Sequence, residues 1–410
     1  MNIRERFIPY RRTDIISMCK KGNQLPSHEI EIFDEFCNIL SSLFHYELHK
    51  SLEILKDCYA PFDPDRDTRL LDESKENHVE KNKTLEKELI SILEQANFER
   101  VSEDDLKGAL ESESLFKVKL HVEFDDFEEV VFFRRGLNQK TEQIREFFGF
   151  KKKQIELEVY ERILIYVRFK EQEYFDNQDK KSDIYFEPGS TIIKLFRNVP
   201  KNDMEMLFPN TEVQMKPMDK ILIGVPTAVG GIFMLITKLG GTLILVFSVL
   251  AFWLGLREQP ASIDQAALVA LALGFGTLGG FLWRQFSKYK NRKIQFMKQL
   301  AENLYFKNLD NNSGVFHHLI DAAEEEECKE TILAYYHLLT SEQSLTNEEL
   351  DKIIENWFDT QFNCVIDFET DDALRKLTKL ELVEKHEELY KAKPLAIARK
   401  QLDMLWDGFY

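Results

Sequence analysis

The chain has no Cys-x-x-Cys pair, and its five cysteines (Cys19, Cys37, Cys58, Cys328, Cys364) are odd in number and scattered along 410 residues. That spacing excludes a disulfide framework and points to a reducing compartment. Basic residues are in deficit, 54 Lys and Arg against 71 Asp and Glu, for a net charge of −17. Such a balance repels phosphate, so nucleic acid is disfavoured as a partner. There is no Walker A sequence, no Gly-x-Gly-x-x-Gly, no Gly-x-Ser-x-Gly and no zinc pattern. No catalytic motif is recognisable and no cofactor is identified. No signal or transit peptide is read either: MNIRERFIPYRR is basic, but Phe7, Ile8 and Pro9 interrupt it and no apolar core follows. Apolar residues are plentiful at 44%, enough for packed cores and for about two to four domains.

The apolar residues are unevenly spread. Residues 221–283 carry four charges, Lys238, Arg257, Glu258 and Asp264. Two uncharged runs of 18 residues, 239–256 and 266–283, would each rise about 27 Å as helices, close to the roughly 30 Å of a hydrocarbon core. With the polar stretch 257–265 between them they predict a transmembrane helical hairpin; a pair of buried core helices is the competing reading. The bases Arg284, Lys288, Lys290, Arg292 and Lys293 follow the second run and predict that both termini lie on the cytoplasmic side. Residues 221–237 are broken by Pro226, Gly230 and Gly231 and predict an interfacial or re-entrant segment, with a third crossing as the alternative. Ala272, Gly276 and Gly280, four apart, predict close helix packing within the hairpin or between copies.

The flanking regions are polar and periodic. Ile30, Phe33, Cys37, Leu40, Phe44, Leu48, Leu52 and Leu55 keep helical spacing over about Ser27–Tyr59. A second helix is predicted over Lys83–Gln95. Residues 115–199 alternate apolar and polar, which predicts strands at 118–124, 129–135, 155–169 and 184–196 in a small antiparallel sheet. Residues 294–340 are predicted helical. Thr346 with Glu349 makes a capping box, and the order helix, extended run, helix, wing, helix through 406 is that of a winged-helix module. The predicted fold class is therefore an α+β membrane protein: an N-terminal helical region (1–110), an α+β domain (111–218), a membrane segment (219–286), a helical region (287–345) and a winged-helix-like module (346–410).

Three constellations could carry chemistry. His45 and His49 stand at i and i+4 on one helical face, a spacing that can chelate a metal. They lack the His-Glu-x-x-His pattern of zinc hydrolases, and a partly buried structural pair is the default. Asp63, Asp65 and Asp67 resemble the start of a calcium loop, yet Thr68 and Ser74 stand where that loop needs Gly and Glu. His317, Asp321 and Glu324 share a helix face ahead of the run Glu324-Glu325-Glu326-Glu327, which reads as a solvated face. The presumed recognition helix of the winged module carries Arg375, Lys376 and Lys379. Residues 310–410, however, hold 23 acids and 10 bases, a net of −13. That acidity suits a protein partner better than DNA.

Several stretches together resemble the family typified by transmembrane protein 143. They are Arg4–Cys19, Tyr59–Asp65, Phe124–Gly136, Leu195–Met215, Asp219–Gly231, His317–Leu339 and Asp367–Leu382. The resemblance implies a two-span membrane protein, in an organellar membrane in eukaryotes and the inner membrane in bacteria, with no catalytic residues to carry over. A start so close to the first matching stretch favours the bacterial inner membrane. The expectation is thus a membrane-anchored protein-interaction or scaffolding protein. Its partners would be the bilayer, a protein bound through the acidic C-terminal module, and further copies of itself. A metal-dependent membrane enzyme and an oligomeric solute or lipid transporter are the alternatives.

Overall fold

The computed structural model describes residues 6–22, 24–71, 75–111, 119–146, 151–177, 186–214, 240–256 and 265–409. They fall into two compact units. The first takes in the described parts of Met1–Glu111, Phe124–Met204 and Lys307–Tyr410, and the second those of Ser112–Glu123 and Glu205–Phe306. The fold is α+β with a small antiparallel sheet.

The first unit begins with α1 (Arg12–Lys21) and α2 (Ile30–Tyr59). Buried Phe33, Phe36, Cys37, Leu40, Phe44, Leu48, Leu52, Leu55 and Tyr59 recur every three or four residues on α2, so one stripe faces inward. At 1.5 Å per residue its 30 residues span about 45 Å, long enough to serve two cores. The half up to Phe44 packs with α1 and the C-terminal helices; the half from Leu48 packs against the sheet. Ala60 caps the helix, and Pro61, which has no N–H to donate, helps to turn the chain away.

Next come α3 (Lys75–Gln95), β1 (Glu99–Arg100) and α4 (Glu103–Glu111). β2 (Lys119–His121) and β6 (Glu212–Gln214) belong to the second unit. The sheet of the first unit is built from β1, β3 (Phe127–Glu146), β4 (Lys151–Phe169), β5 (Thr191–Pro200) and β7 (Asn308–Asn311). Its order is β1-β3-β4-β5-β7 with every pair antiparallel. The short α5 (Gln172–Asp176) lies between β4 and β5. Period-two alternation sends Leu164 and Tyr166 of β4, with Ile193 and Leu195 of β5, to the face covered by Leu52, Leu55, Leu89 and Ile92. β7 interrupts the predicted helix 294–340. Its partner is β5, more than a hundred residues earlier, which periodicity within 294–340 cannot reveal.

After α6 (Gly240–Trp253) and α7 (Gln265–Lys307) of the second unit, the chain returns to the first through β7 and α8 (Ser313–Thr340). At this junction Asn312 takes φ 51°, its side-chain oxygen accepts from Ile193 N at 3.2 Å, and Gly314 lies so near the Asp310 carboxylate that a Cβ would clash. The C-terminal segment is α9 (Asn347–Phe362), α10 (Thr370–Lys379), the hairpin β8 (Val383–His386) with β9 (Leu389–Ala392), and α11 (Leu395–Asp407). Thr346 and Glu349 form a reciprocal capping box at the start of α9. Phe362 ends α9, Asn363 caps it in the left-handed conformation, and a non-helical run follows with a single β-bridge residue at Ile366. Ile354, Phe358, Leu374, Leu377, Ala398 and Leu402 of this segment bury against Phe36 and Leu40 of α2 and Ile332 of α8, so N- and C-terminal helices share one core.

In the second unit, β2 and β6 pair as a two-stranded antiparallel ribbon. The membrane hairpin expected from the sequence is corrected here. Among the described residues no helix is long and apolar enough to cross a membrane. Among the described residues of the expected first span, 239–256, the helix is α6, whose 14 residues rise about 21 Å. The expected second span, 266–283, is no separate element. It opens the 43-residue α7, which continues unbroken through Arg284, Lys288, Lys290, Arg292 and Lys293 to Lys307. Those bases lie along the same continuous helix. The segment 221–237 and the loop 257–264 lie outside the described residues. The two-span reading, its orientation and the multi-pass localisation in a bacterial inner or organellar membrane lose their basis. Side chains along α6 and α7 such as Phe247, Trp253, Leu273 and Leu282 are nevertheless exposed.

Candidate functional site

The acidic run of α8 is not the solvated face its composition suggests. Glu326, Glu327, Lys329 and Glu330 are each 3% exposed or less. Taking such charges out of water costs several kcal/mol per ion unless partners replace the water. Those partners come from far along the chain. Lys329 Nζ donates to Ile8 O at 2.8 Å, to Tyr10 O at 3.1 Å and to Glu326 Oε1 at 2.8 Å. Glu326 Oε2 accepts from Ile8 N and from Asn97 Nδ2, each at 3.3 Å. Asn97 Nδ2 also donates to Glu330 Oε1 at 2.9 Å. Lys376 of α10 donates to Glu330 Oε2 at 3.2 Å and pairs with Glu327 and Asp372. At the outer end of the network, Arg12 NH1 donates to Glu324 Oε1 at 3.0 Å.

Titration in this network follows burial. Desolvation pushes the Glu330 carboxyl up to about 8, against the pull of Lys376 and Asn97, and the Glu327 carboxyl up to about 6. Burial alone would lower the Lys376 ammonium, but Glu330, Glu327 and Asp372 together outweigh it and hold it above its ordinary value.

The network forms the floor of a cleft of about 780 Å³ between α2, α3, α8 and α10. Its lining holds six carboxylates (Glu47, Glu94, Glu327, Glu369, Asp371, Asp372) and four cations (Arg6, Arg375, Lys376, Lys379), and no histidine or cysteine. Arg6 meets Glu369 at 2.8 Å, Lys379 meets Glu47 at 3.4 Å, and Arg375 pairs with Asp372. The three bases of the presumed recognition helix are thus engaged by carboxylates. On the floor, one Glu327 oxygen pairs with Lys376, while Oε1 is buried and has no hydrogen-bond partner. An ionised carboxylate can only accept, so the group that would satisfy Oε1 is a donor.

The other predicted site residues are placed apart from this cleft. His45 is exposed and binds Glu324 Oε2 through Nδ1 at 2.7 Å, and His49 is exposed. Asp63 Oδ1 accepts from Asp65 N at 2.9 Å in an Asx turn, and burial raises the Asp63 carboxyl. Asp65 accepts from Asn312, and Asp67 is exposed. Among the described residues no three His, Cys, Asp or Glu side chains are grouped to hold a metal ion. Ala272 is exposed, and a Cβ at Gly276 or Gly280 would have no neighbour within 4 Å. The expected packing stripe therefore makes no close approach among the described residues. Sequence reasoning missed Glu327, Glu330, Asn97 and Arg6. One signal was available: the acids of α8 sit between apolar residues that recur on every side of the helix, from Phe316 to Leu338.

Residues 160–314 match the model of a family described as Protein of unknown function (DUF3754). The match runs from within β4 to the first turn of α8 and includes none of the residues lining the cleft. No solved structure matches the chain.

Proposed function

We propose that the protein is a protein-interaction module whose cleft receives an arginine or lysine side chain from a basic segment of its partner. The observation that carries this reading is Glu327 Oε1, a buried acceptor without a donor at the floor of a cleft with more carboxylates than cations. A buried acceptor left unsatisfied costs roughly 1–3 kcal/mol, which an incoming N–H group would recover. A cation supplies that donor and answers the excess of negative charge together. The acidic C-terminal segment contributes Glu369, Asp371 and Asp372 to the rim, which supports the expectation that this module makes the contact.

Fluorescence anisotropy with labelled arginine-rich, lysine-rich and glutamine-rich peptides tests the proposal. The basic peptides should bind and weaken as salt is raised, and Glu327→Gln should weaken them about tenfold by removing one charge-assisted hydrogen bond. Equal binding of the glutamine-rich peptide, or of all peptides to Glu327→Gln, would overturn it. So would an absence of binding by the basic peptides.

A further inference from the structure

Positive charge on this acidic chain is gathered in one stretch. Residues 284–307, the second half of α7, hold seven bases and one acid, a net of +6 in a chain of −17. Lys298 is paired, with Glu302 at 3.6 Å. Arg284, Lys288, Lys290 and Lys293 are exposed and form no ion pair among the described residues. Arg284 and Lys288 lie one turn apart on one face of the helix, and Lys290 and Lys293 one turn apart on another. Each pair thus offers two cations side by side.

The opposite imbalance stands at the acidic cleft of the first unit. All four of its cations are engaged, Arg6 by Glu369, Arg375 by Asp372, Lys376 by Glu327 and Lys379 by Glu47. Of its six carboxylates, Glu94 of α3 and Asp371 of α10 meet no cation among the described residues. Both residues are exposed, so an incoming group can reach them. Asp371 accepts from Asn347 Nδ2, but that amide brings no charge. The groups left without a counter-charge are therefore two accessible carboxylates on the cleft and four accessible cations on α7.

We propose that the basic segment received by the acidic cleft is α7 of a second copy of this chain. The inference rests on the reading of the cleft as a site for basic side chains, and it names the partner. Lysine or arginine side chains from 284–293 of one copy meet Glu94 and Asp371 of the other. Charge complementarity selects this pairing. Setting α7 against α7 would bring bases against bases, and cleft against cleft would bring acids against acids. Each copy offers one helix and one cleft, so the contact either closes reciprocally in a dimer or repeats head to tail.

Sedimentation velocity of the full chain tests this. The chain should self-associate at about 50 mM salt, and about 500 mM salt should weaken the association at least about tenfold by screening exposed charges. Arg284→Glu/Lys288→Glu/Lys290→Glu/Lys293→Glu spoils the helix. Glu94→Lys/Asp371→Asn spoils the cleft while keeping an acceptor for Asn347. Each variant alone should associate at least about tenfold more weakly than wild type. An equimolar mixture of the two should associate again, because each supplies the intact face that the other lacks. The arginine-rich peptide, competing for the cleft, should disperse wild-type assemblies, a result that needs no variant. Association that ignores salt, both variants or saturating peptide would overturn the proposal, as would a mixture no larger than its separate components. A chain that stays monomeric at low salt yet binds the peptide would overturn this inference and leave the reading of the cleft standing. If the peptide does not bind either, both fall.

Discussion

The middle of α8 and the apolar helices of the second unit invert the usual arrangement. Glu326, Glu327, Lys329 and Glu330 are buried, whereas Phe247, Leu273 and Leu282 on α6 and α7 are exposed. Hydropathy describes a segment, but burial is decided by what the rest of the chain brings to it. The charges of α8 are tolerated inside because Ile8, Tyr10, Asn97 and Lys376 supply donors and acceptors in place of water. The apolar side chains of α6 and α7 meet no comparable cover among the described residues.

The comparison breaks most decisively at Lys376. Replacing it by Met leaves Glu327 and Glu330 buried beside an apolar side chain. Removing one partner of a buried charge network typically costs about 3–5 kcal/mol. Urea denaturation of Lys376→Met at neutral pH should show a loss of that size. The triple variant Lys376→Met/Glu327→Gln/Glu330→Gln should recover most of it, because no unpaired ion is then left inside. A loss below about 1 kcal/mol for the single variant would mean that the charges of α8 are hydrated after all.

The proton held by Glu330 gives the next largest effect. Its carboxyl is raised by burial from 4.5 to about 8 in the folded chain, and Glu327 to about 6. The unfolded chain releases both protons near 4.5, so between that value and 8 the folded state binds more protons than the unfolded one. Stability from these groups is full below 4.5 and falls as pH rises through the window, with a slope of up to about 1.4 kcal/mol per pH unit for each proton. The raised Lys376 ammonium acts in another range, since its ordinary value is already 10.5. Comparing urea midpoints at pH 5 and pH 8, wild type should lose more stability on going to pH 8 than Glu330→Gln. Parallel behaviour of the two proteins would place that proton elsewhere.

A contact readable from sequence alone supplies a smaller reference. The Thr346–Glu349 box at the head of α9 is local, and Thr346→Ala should cost about 1 kcal/mol by thermal or urea denaturation. What the sequence discloses follows the same division between local and distant. The stripe of α2, the alternation of β4, the box at Thr346 and the turn between β8 and β9 each span a short stretch of neighbouring residues, where spacing is enough. The acidic cleft joins Arg6, Glu94, Glu327 and Lys376, brought together only when N- and C-terminal helices share a core. No local pattern encodes that meeting. The acidic run of α8 thus looks like a solvated face until its partners are known. In the same way, the uncharged runs at 239–256 and 266–283 look like a pair of spans until α6 proves short and α7 proves continuous with its basic half.

The smallest expected effect tests the other side of the comparison. Leu273 on α7 is 65% exposed, so Leu273→Gln removes little apolar contact and adds an amide that water can solvate. Exposed substitutions of this kind change stability by about 0.5 kcal/mol or less. Glutamine is also a good helix former, so backbone propensity contributes almost nothing. A buried leucine would behave differently: truncating it costs about 2–5 kcal/mol, and putting a polar group in its place costs more. The urea midpoint of Leu273→Gln therefore separates two arrangements of α7. A midpoint within error of wild type agrees with a helix whose apolar side chains face solvent. A loss of several kcal/mol would mean that Leu273 is covered in the folded protein, and the contrast with the buried charges of α8 would then fail on its apolar side.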